Sequence, residues 1–282
     1  MCAKVKATNT NHEWQTDSLR NSASNAHIEG DDTTAESRSA TTRLGNYTQI
    51  FKNAVVVPDT DNGLDKAGRA KEITYQVLKV AKEQKLDIES ALLANNAKVA
   101  GNSTTARELA GIPAWLTTNT DFGANEGADP DGDGTNARTD ETTTLEAFSQ
   151  DRFDTVMQSI WESGGTPDTC VLSAFQMNKA LGFTGNNNQR STIKAENERV
   201  IKHMDVYVTP WGTVEFVPSR ECRGRDVFIL QSDMWKVAVL RPTKNTQLAK
   251  TGDNEKRQVV TELTLVSANE AASGGVFDCT TS

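Results

Sequence analysis

Cysteine and histidine are both scarce in this chain of 282 residues. The cysteines are Cys2, Cys170, Cys222 and Cys279, and no two are close in sequence. Zinc-ligand spacings and C-x-x-C redox motifs are therefore excluded, and the thiols read as reduced cysteines of a cytosolic protein. The histidines, His12, His27 and His203, are scattered. No Ser/His/Asp or Cys/His grouping stands out, and H-E-x-x-H, G-x-G-x-x-G and P-loop motifs are missing. The expectation is a protein that is not an enzyme and carries no cofactor. No run of about 18 apolar residues exists to form a membrane-spanning helix. The opening residues, "MCAKVKATNTNHEW", lack the apolar region of a secretory signal.

Basic charge is also in deficit, with 30 Lys and Arg against 38 Asp and Glu and a net charge of -8. A general DNA- or RNA-binding surface needs clustered Lys and Arg to neutralise phosphates, so that class is disfavoured. Hydrophobic residues make up 36% of the chain, enough for a real core. A mean hydropathy of -0.55 leaves much polar surface. The length fits one large or two smaller domains.

One stretch, "ADPDGDGTNARTDE", imitates a calcium loop. Asp129, Asp131 and Asp133 alternate and Gly134 follows, as at positions 1, 3, 5 and 6 of an EF-hand. Position 12 is Asp140 where a glutamate belongs, Glu141 falls one place late, and Pro130 is second. The preceding "TTNTDFGANEG" is aperiodic and reads as loop. The three aspartates are retained as a weak metal candidate, and the segment reads as a solvated surface loop.

The first 64 residues read as strand, polar tip, strand. "VKATNTNHEWQTDSL" and "TTRLGNYTQIFKNAVVV" have strand character and enclose a tip of about twenty residues with almost no large apolar groups. Such a tip is foreign to a compact domain. It is either a surface loop or a two-stranded arm resting on a second copy, because an isolated hairpin is marginal in water.

Residues 65–96 carry the strongest helical pattern. Ala70, Ile73, Val77, Val80, Ala81, Gln84, Ile88 and Leu92 recur on one stripe. Asp65 is placed to cap the start and Asn95-Asn96 suit the end. About 28 helical residues would span roughly 40 Å, with the stripe lying along a sheet. After "ARELAGIPAWLTTN", strand-like around Trp115, a second helix is expected through "TTTLEAFSQDRFDTVMQSIWESGG", with Thr143 and Glu146 as a capping box. A third follows in "SAFQMNKALGF", with Ser173 as cap and Gly182 as terminator. "GNNNQRSTIKAENERV" reads as a polar loop. Strands follow in "MDVYVTPWGTVEFVPSR", "DVFILQSDMWKVAVLRP" and from Arg257 to Ala268, giving an α+β chain with one dominant helix.

Four landmarks occur in order: "HEWQTDSL", "GNYTQIFKNAVVV", "IWESGG-PD" and "LRPTKNTQLAKTGDNEKRQVVTELTLVSANEAASG". In this set the chain resembles the SU-ten-type major capsid proteins of tailed bacteriophages, which have the Hong Kong 97-type capsid fold. The resemblance covers nearly the whole chain and implies roles for segments. Residues 1–64 would be an N-terminal arm remnant and extended loop over an adjacent subunit. Residues 65–144 would form a peripheral domain around a spine helix, residues 145–235 an axial domain, and residues 236–282 the return to the peripheral domain. The segment ahead of "HEWQTDSL" is shorter than such proteins usually have, so Met1 reads as an internal methionine of a longer chain.

The implied function is a shell protein of the virion, assembled in the host cytoplasm from pentamers and hexamers of itself. A portal would be a partner, with scaffolding or decoration proteins as further candidates. Double-stranded DNA would be enclosed without sequence-specific binding, and no membrane is involved. Arm segments 10–19 and 43–57 are expected to pair and lie on the next spine helix, with Trp14, Arg43 and Phe51 at the subunit interface. Lys250, Asp253, Glu255, Lys256 and Arg257, concentrated in one turn, are expected to meet neighbours near local three-fold axes. The alternative is a bacterial nanocompartment shell around an enzyme cargo. A calcium-dependent secreted binding protein and an enzyme with a site assembled only in three dimensions are the weaker rivals.

Overall fold

The computed structural model describes residues 3–20, 22–30, 32, 35, 39–64, 68, 71–123, 127–183 and 206–281. The chain opens with β1 (Ala3–Lys6), followed by the hairpin of β2 (Asn11–Thr16) and β3 (Thr42–Tyr47). After one residue β4 (Gln49–Pro58) begins, followed by a short α1 (Asp59–Gly63). The long helix α2 spans Glu72–Leu93, 22 residues or about 33 Å. The expected cap Asp65 and first stripe residue Ala70 lie outside the described residues, as do Met1, Cys2 and the "GNNNQRST" loop. At the other end, Asn95 does not cap the helix. Its amide accepts from the Arg138 N–H at 2.9 Å and donates to the Arg138 carbonyl at 2.8 Å, fastening the Asp-rich loop instead.

Around Trp115 the chain is not a strand. Ile112–Ala114 form a 3-10 turn, with Pro113 early in it, where its missing N–H costs nothing. Gly111 enters this turn so close to the end of α2 that a Cβ would lie 2.0 Å from the Ala94 carbonyl oxygen. Trp115 is fully buried. Strand β5 (Thr120–Asp121) follows, within a segment expected to be all loop.

Helix α3 spans Gln150–Glu162, starting later than the Thr143 capping pattern implied. Ser149 is the cap, accepting from the Arg152 N–H. The preceding segment is committed elsewhere. The Glu141 carboxylate accepts from the Thr143 N–H and hydroxyl, and Glu146 pairs with the C-terminal segment through Asp278 and Thr280. Strand β6 (Thr169–Leu172) leads to α4 (Ala174–Ala180), where Ser173 caps as expected. The Gln176 N–H donates to the Ser173 hydroxyl oxygen, and its side chain reaches elsewhere. Its amide donates to the Gly224 and Thr280 carbonyls at 2.7 and 2.8 Å. Strands β7 (Val206–Thr209), β8 (Gly212–Pro218) and β9 (Val227–Leu230) precede the long β10 (Trp235–Gln247) and β11 (Asn254–Ser267), and β12 (Gly274–Val276) ends the series.

These strands form three sheets. One has the order β1-β10-β11-β4, one β5-β12-β9-β6-β8-β7, and one is β2-β3 alone. The second sheet draws β5 and β12 from outside the 145–235 span, so it is not contiguous in sequence. Helix α2 packs on the first sheet through Ile73, Val77 and Val80 against Val55, Val57 and Val259. Gln84 sits on the same stripe fully satisfied, donating to the carbonyls of Phe51 and Val259 and accepting from the Thr261 hydroxyl. Helices α3 and α4 cover the second sheet over an aromatic core of Phe148, Phe153, Phe183, Tyr207 and Phe216. Trp115, Trp235, Phe228, Leu265 and Phe277 share one apolar cluster. This cluster takes residues from both larger sheets.

Candidate assembly surfaces

The β2–β3 hairpin is a two-stranded arm by its pairing, with Trp14 opposite Leu44 and Thr16 opposite Thr42. Its root is fixed, and the described residues of its tip are exposed. At the root Trp14 is half-buried and stacks against Trp115 of the body, ring centroids 5.4 Å apart. The buried Asn46 donates to the Leu265 carbonyl at 2.9 Å and accepts from the Ala110 N–H at 2.9 Å. Lys98 Nζ donates to the carbonyls of Gly45 and Asp133 at 3.0 and 2.7 Å. Toward the tip, Leu19 is 96% and Ile28 82% exposed. Apolar side chains this exposed bury little against the rest of the described chain.

Arg43 lies on the arm and pairs across it with Glu13 at 2.8 Å, both exposed. Phe51 is not an arm residue. The strand from Gln49 to Pro58 pairs with β11 over its whole length, and Phe51 is buried with Leu109 and Leu263. The alternating apolar pattern runs unbroken from arm to sheet in sequence, and only the change of partner strand separates them.

The charged segment expected to be one turn divides, with Lys250 and Asp253 in the turn between β10 and β11 and Glu255, Lys256 and Arg257 already in β11, and it is tied to its own chain. Lys250 Nζ donates to Asp59 Oδ2 at 2.7 Å, and that hydrogen bond holds the lysine above and the aspartate below their ordinary pKa values. The Asp253 carbonyl accepts from the Asp59 N–H. Glu255 accepts from Arg257 at 2.8 Å and from Asn62 at 3.4 Å, and Lys256 bonds the Thr251 hydroxyl. The Lys250–Asp59 pair remains open to solvent.

The Asp-rich loop spends its carboxylates on its own chain. Asp129 accepts from the Thr120 hydroxyl and from Arg138, both at 2.9 Å; Asp131 bonds Asn136; Asp133 accepts from the N–H and hydroxyl of Thr135, both at 2.7 Å. Gly134, at φ 76, brings the loop against Trp115, where a Cβ would lie 2.8 Å from the indole. No three His, Cys, Asp or Glu side chains among the described residues are placed to hold a metal ion.

Two ion clusters went unread in the sequence because their members are far apart in it. In the first, Asp140 bonds Arg223 and lies 3.7 Å from Arg225, which approaches Asp278 at 3.5 Å. Asp226 beside them is 1% exposed, and neither carboxylate oxygen has a hydrogen-bond partner; Arg223 approaches at 3.4 Å. Burial pushes its pKa up to about 6 despite the nearby arginines. In the second cluster, buried Glu262 takes Arg107 and Arg241, each at 2.6 Å. A lone glutamate inside the apolar run "VVTELTLV" was its only local signal.

Among known proteins, the model of a family described as SU10 major capsid protein matches residues 1–280. The major capsid protein of Escherichia phage Phieco32 is 28% identical over 310 residues, covering 98% of this chain and 88% of the relative. The capsid of cyanophage A-1(L) superposes with a TM-score of 0.66 at 12% identity, covering 100% of this chain and 91% of the other. An encapsulin complex of Synechococcus elongatus gives a TM-score of 0.58 at 9% identity, covering 100% and 86%.

Proposed function

The chain belongs to the SU10 major capsid protein family, and from that premise we propose how its copies hold a shell together. It has the Hong Kong 97-type fold, and its place is the virion capsid, where copies assemble into a lattice. In our reading the arm of each subunit lies over an adjacent subunit, within pentamers and hexamers. The observation that carries this is the contrast along the arm: a root pinned by Trp14, Asn46 and Lys98, and a tip presenting Leu19 and Ile28 to solvent. A closed array needs one surface to meet several slightly different neighbours. A ribbon fixed at one end and adaptable at the other serves that need.

Helix α2 acts as the spine of a peripheral domain, and the second sheet with α3 and α4 surrounds the five- and six-fold axes. The β10–β11 turn, with Lys250 and Asp253, and the start of β11, with Glu255, Lys256 and Arg257, meet neighbours near the local three-fold axes. Within the shell lies double-stranded DNA, enclosed without sequence-specific binding, consistent with the net charge of -8. A portal supplies the DNA entry point, and scaffolding or decoration proteins add to the same lattice. The role is structural, and we assign no residue to catalysis.

The nanocompartment reading keeps one supporting observation, the shared fold with an encapsulin. Purified particles separate the two. Shells containing nucleic acid support the phage reading, shells around an enzyme support the compartment, and a protein that never forms particles overturns both.

A further inference from the structure

On the β3 side a single residue joins the arm to the body, while on the β2 side four residues, 7–10, lead from β1. β3 ends at Tyr47, β4 begins at Gln49, and Thr48 between them is fully buried. All three of its polar groups are engaged. Its N–H donates to the Thr10 carbonyl at 2.8 Å, just ahead of the arm's other strand. Its carbonyl accepts from Arg107 Nε at 3.1 Å, and its hydroxyl donates to Glu262 Oε1 at 2.8 Å.

Glu262 is the hub of this junction. Its side chain is 4% exposed. Oε1 accepts from Arg107 Nη2 and Oε2 from Arg241 Nε, each at 2.6 Å. On the sheet Glu262 faces Arg241 of β10 and Ile50 of β4, and the β10 ladder slips on both sides of Arg241. Three separate segments therefore converge on one carboxylate at the place where the arm changes partner. Charge-assisted hydrogen bonds are short and directional, and a buried carboxylate tolerates no loss of partners. Such a hub holds one angle. An apolar pivot at Thr48 would allow a range of angles.

We propose that Glu262 is the residue that orients the arm: with Arg107 and Arg241 it sets the angle at Thr48 at which the arm leaves the body, and so the angle at which neighbouring subunits join. The proposal rests on the shell reading above. It also makes a claim about the single subunit, so the two can fail separately.

Two variants test it. Glu262→Gln removes the charge and keeps an acceptor. Thr48→Val, close to isosteric, removes only the hydroxyl link and leaves the Glu262–arginine pairs in place. Spin labels at Arg43→Cys on the arm and Gln158→Cys on α3, in a Cys2→Ser background, report the arm angle in the unassembled subunit. The parent gives a narrow distance distribution, and both variants broaden it. In assembly, the fraction of closed shells at parental diameter falls about tenfold, as expected for losing one hydrogen bond to a charged group. If Glu262→Gln fails to fold, Thr48→Val carries the test. Unchanged distance distributions in the folded variants overturn the proposal, as do parental shells formed in parental yield. A parent protein that never assembles overturns the shell reading, while the spin-label distances still decide the arm-orienting role.

Discussion

Asn46 of the arm and Ala110 of the body are joined twice: the Asn46 amide donates to the Ala110 carbonyl at 3.3 Å and accepts the Ala110 N–H at 2.9 Å. The same amide also donates to Leu265 at 2.9 Å. A side chain that bonds like a backbone substitutes for sheet pairing where the arm leaves the ladder.

Replacing Asn46 with Leu leaves two backbone groups unsatisfied in a buried place, the Ala110 N–H and the Leu265 carbonyl, while the Ala110 carbonyl keeps Trp115 Nε1 at 3.5 Å. Each costs about 1–3 kcal/mol, so we expect about 2 kcal/mol or more of lost stability. A urea titration of the isolated subunit measures it. A loss under about 1 kcal/mol would show that water replaces the amide.

Trp14→Ala acts first on the subunit. The indole stacks on Trp115 within its own chain, and removing a buried aromatic costs about 3–5 kcal/mol, less for a half-buried one. We expect about 2 kcal/mol and an arm that proteases cut faster. Parental stability with failed assembly would instead place the indole mainly at a contact between subunits.

Stability should depend on pH through Asp226. Its folded pKa, about 6, stands above the unfolded value of 3.8. The folded state therefore holds the proton more tightly. The resulting stabilisation is complete below pH 3.8 and is lost as pH rises through about 6. A shift of about two units amounts to roughly 3 kcal/mol at most. Asp226→Asn removes this dependence and raises stability at pH 8. A variant whose melting temperature follows the parent's at every pH contradicts the assignment.

Salt should act on the particle and not on the subunit. At about 1 M salt the screening length is only about 3 Å, and the exposed charges of the β10–β11 turn lose their reach across subunits. We expect shells to loosen while the subunit melting temperature holds. Light scattering that stays constant from low to high salt would remove this turn from the contact.

Much of this architecture was legible in the sequence because its signals are local. The α2 stripe and the Ser173 cap depend on residues within a few turns of one another, and the arm on two short strand patterns with a polar run between them. Three features were not. Phe51 reads as an arm residue because strand pattern cannot name a partner strand. The Thr143 capping box is a sound local signal that loses to pairing between Glu146 and the C-terminal segment. The Glu262 hub joins residues 48, 107, 241 and 262, and no spacing rule spans such separations.

The most direct measurement of the central claim is an electron cryomicroscopy map of particles assembled from the purified protein. The account predicts closed shells in which density for the arm beyond Thr16 and Thr42 crosses onto an adjacent subunit. Arms folded back on their own subunit, or a protein that stays monomeric at high concentration, would contradict it.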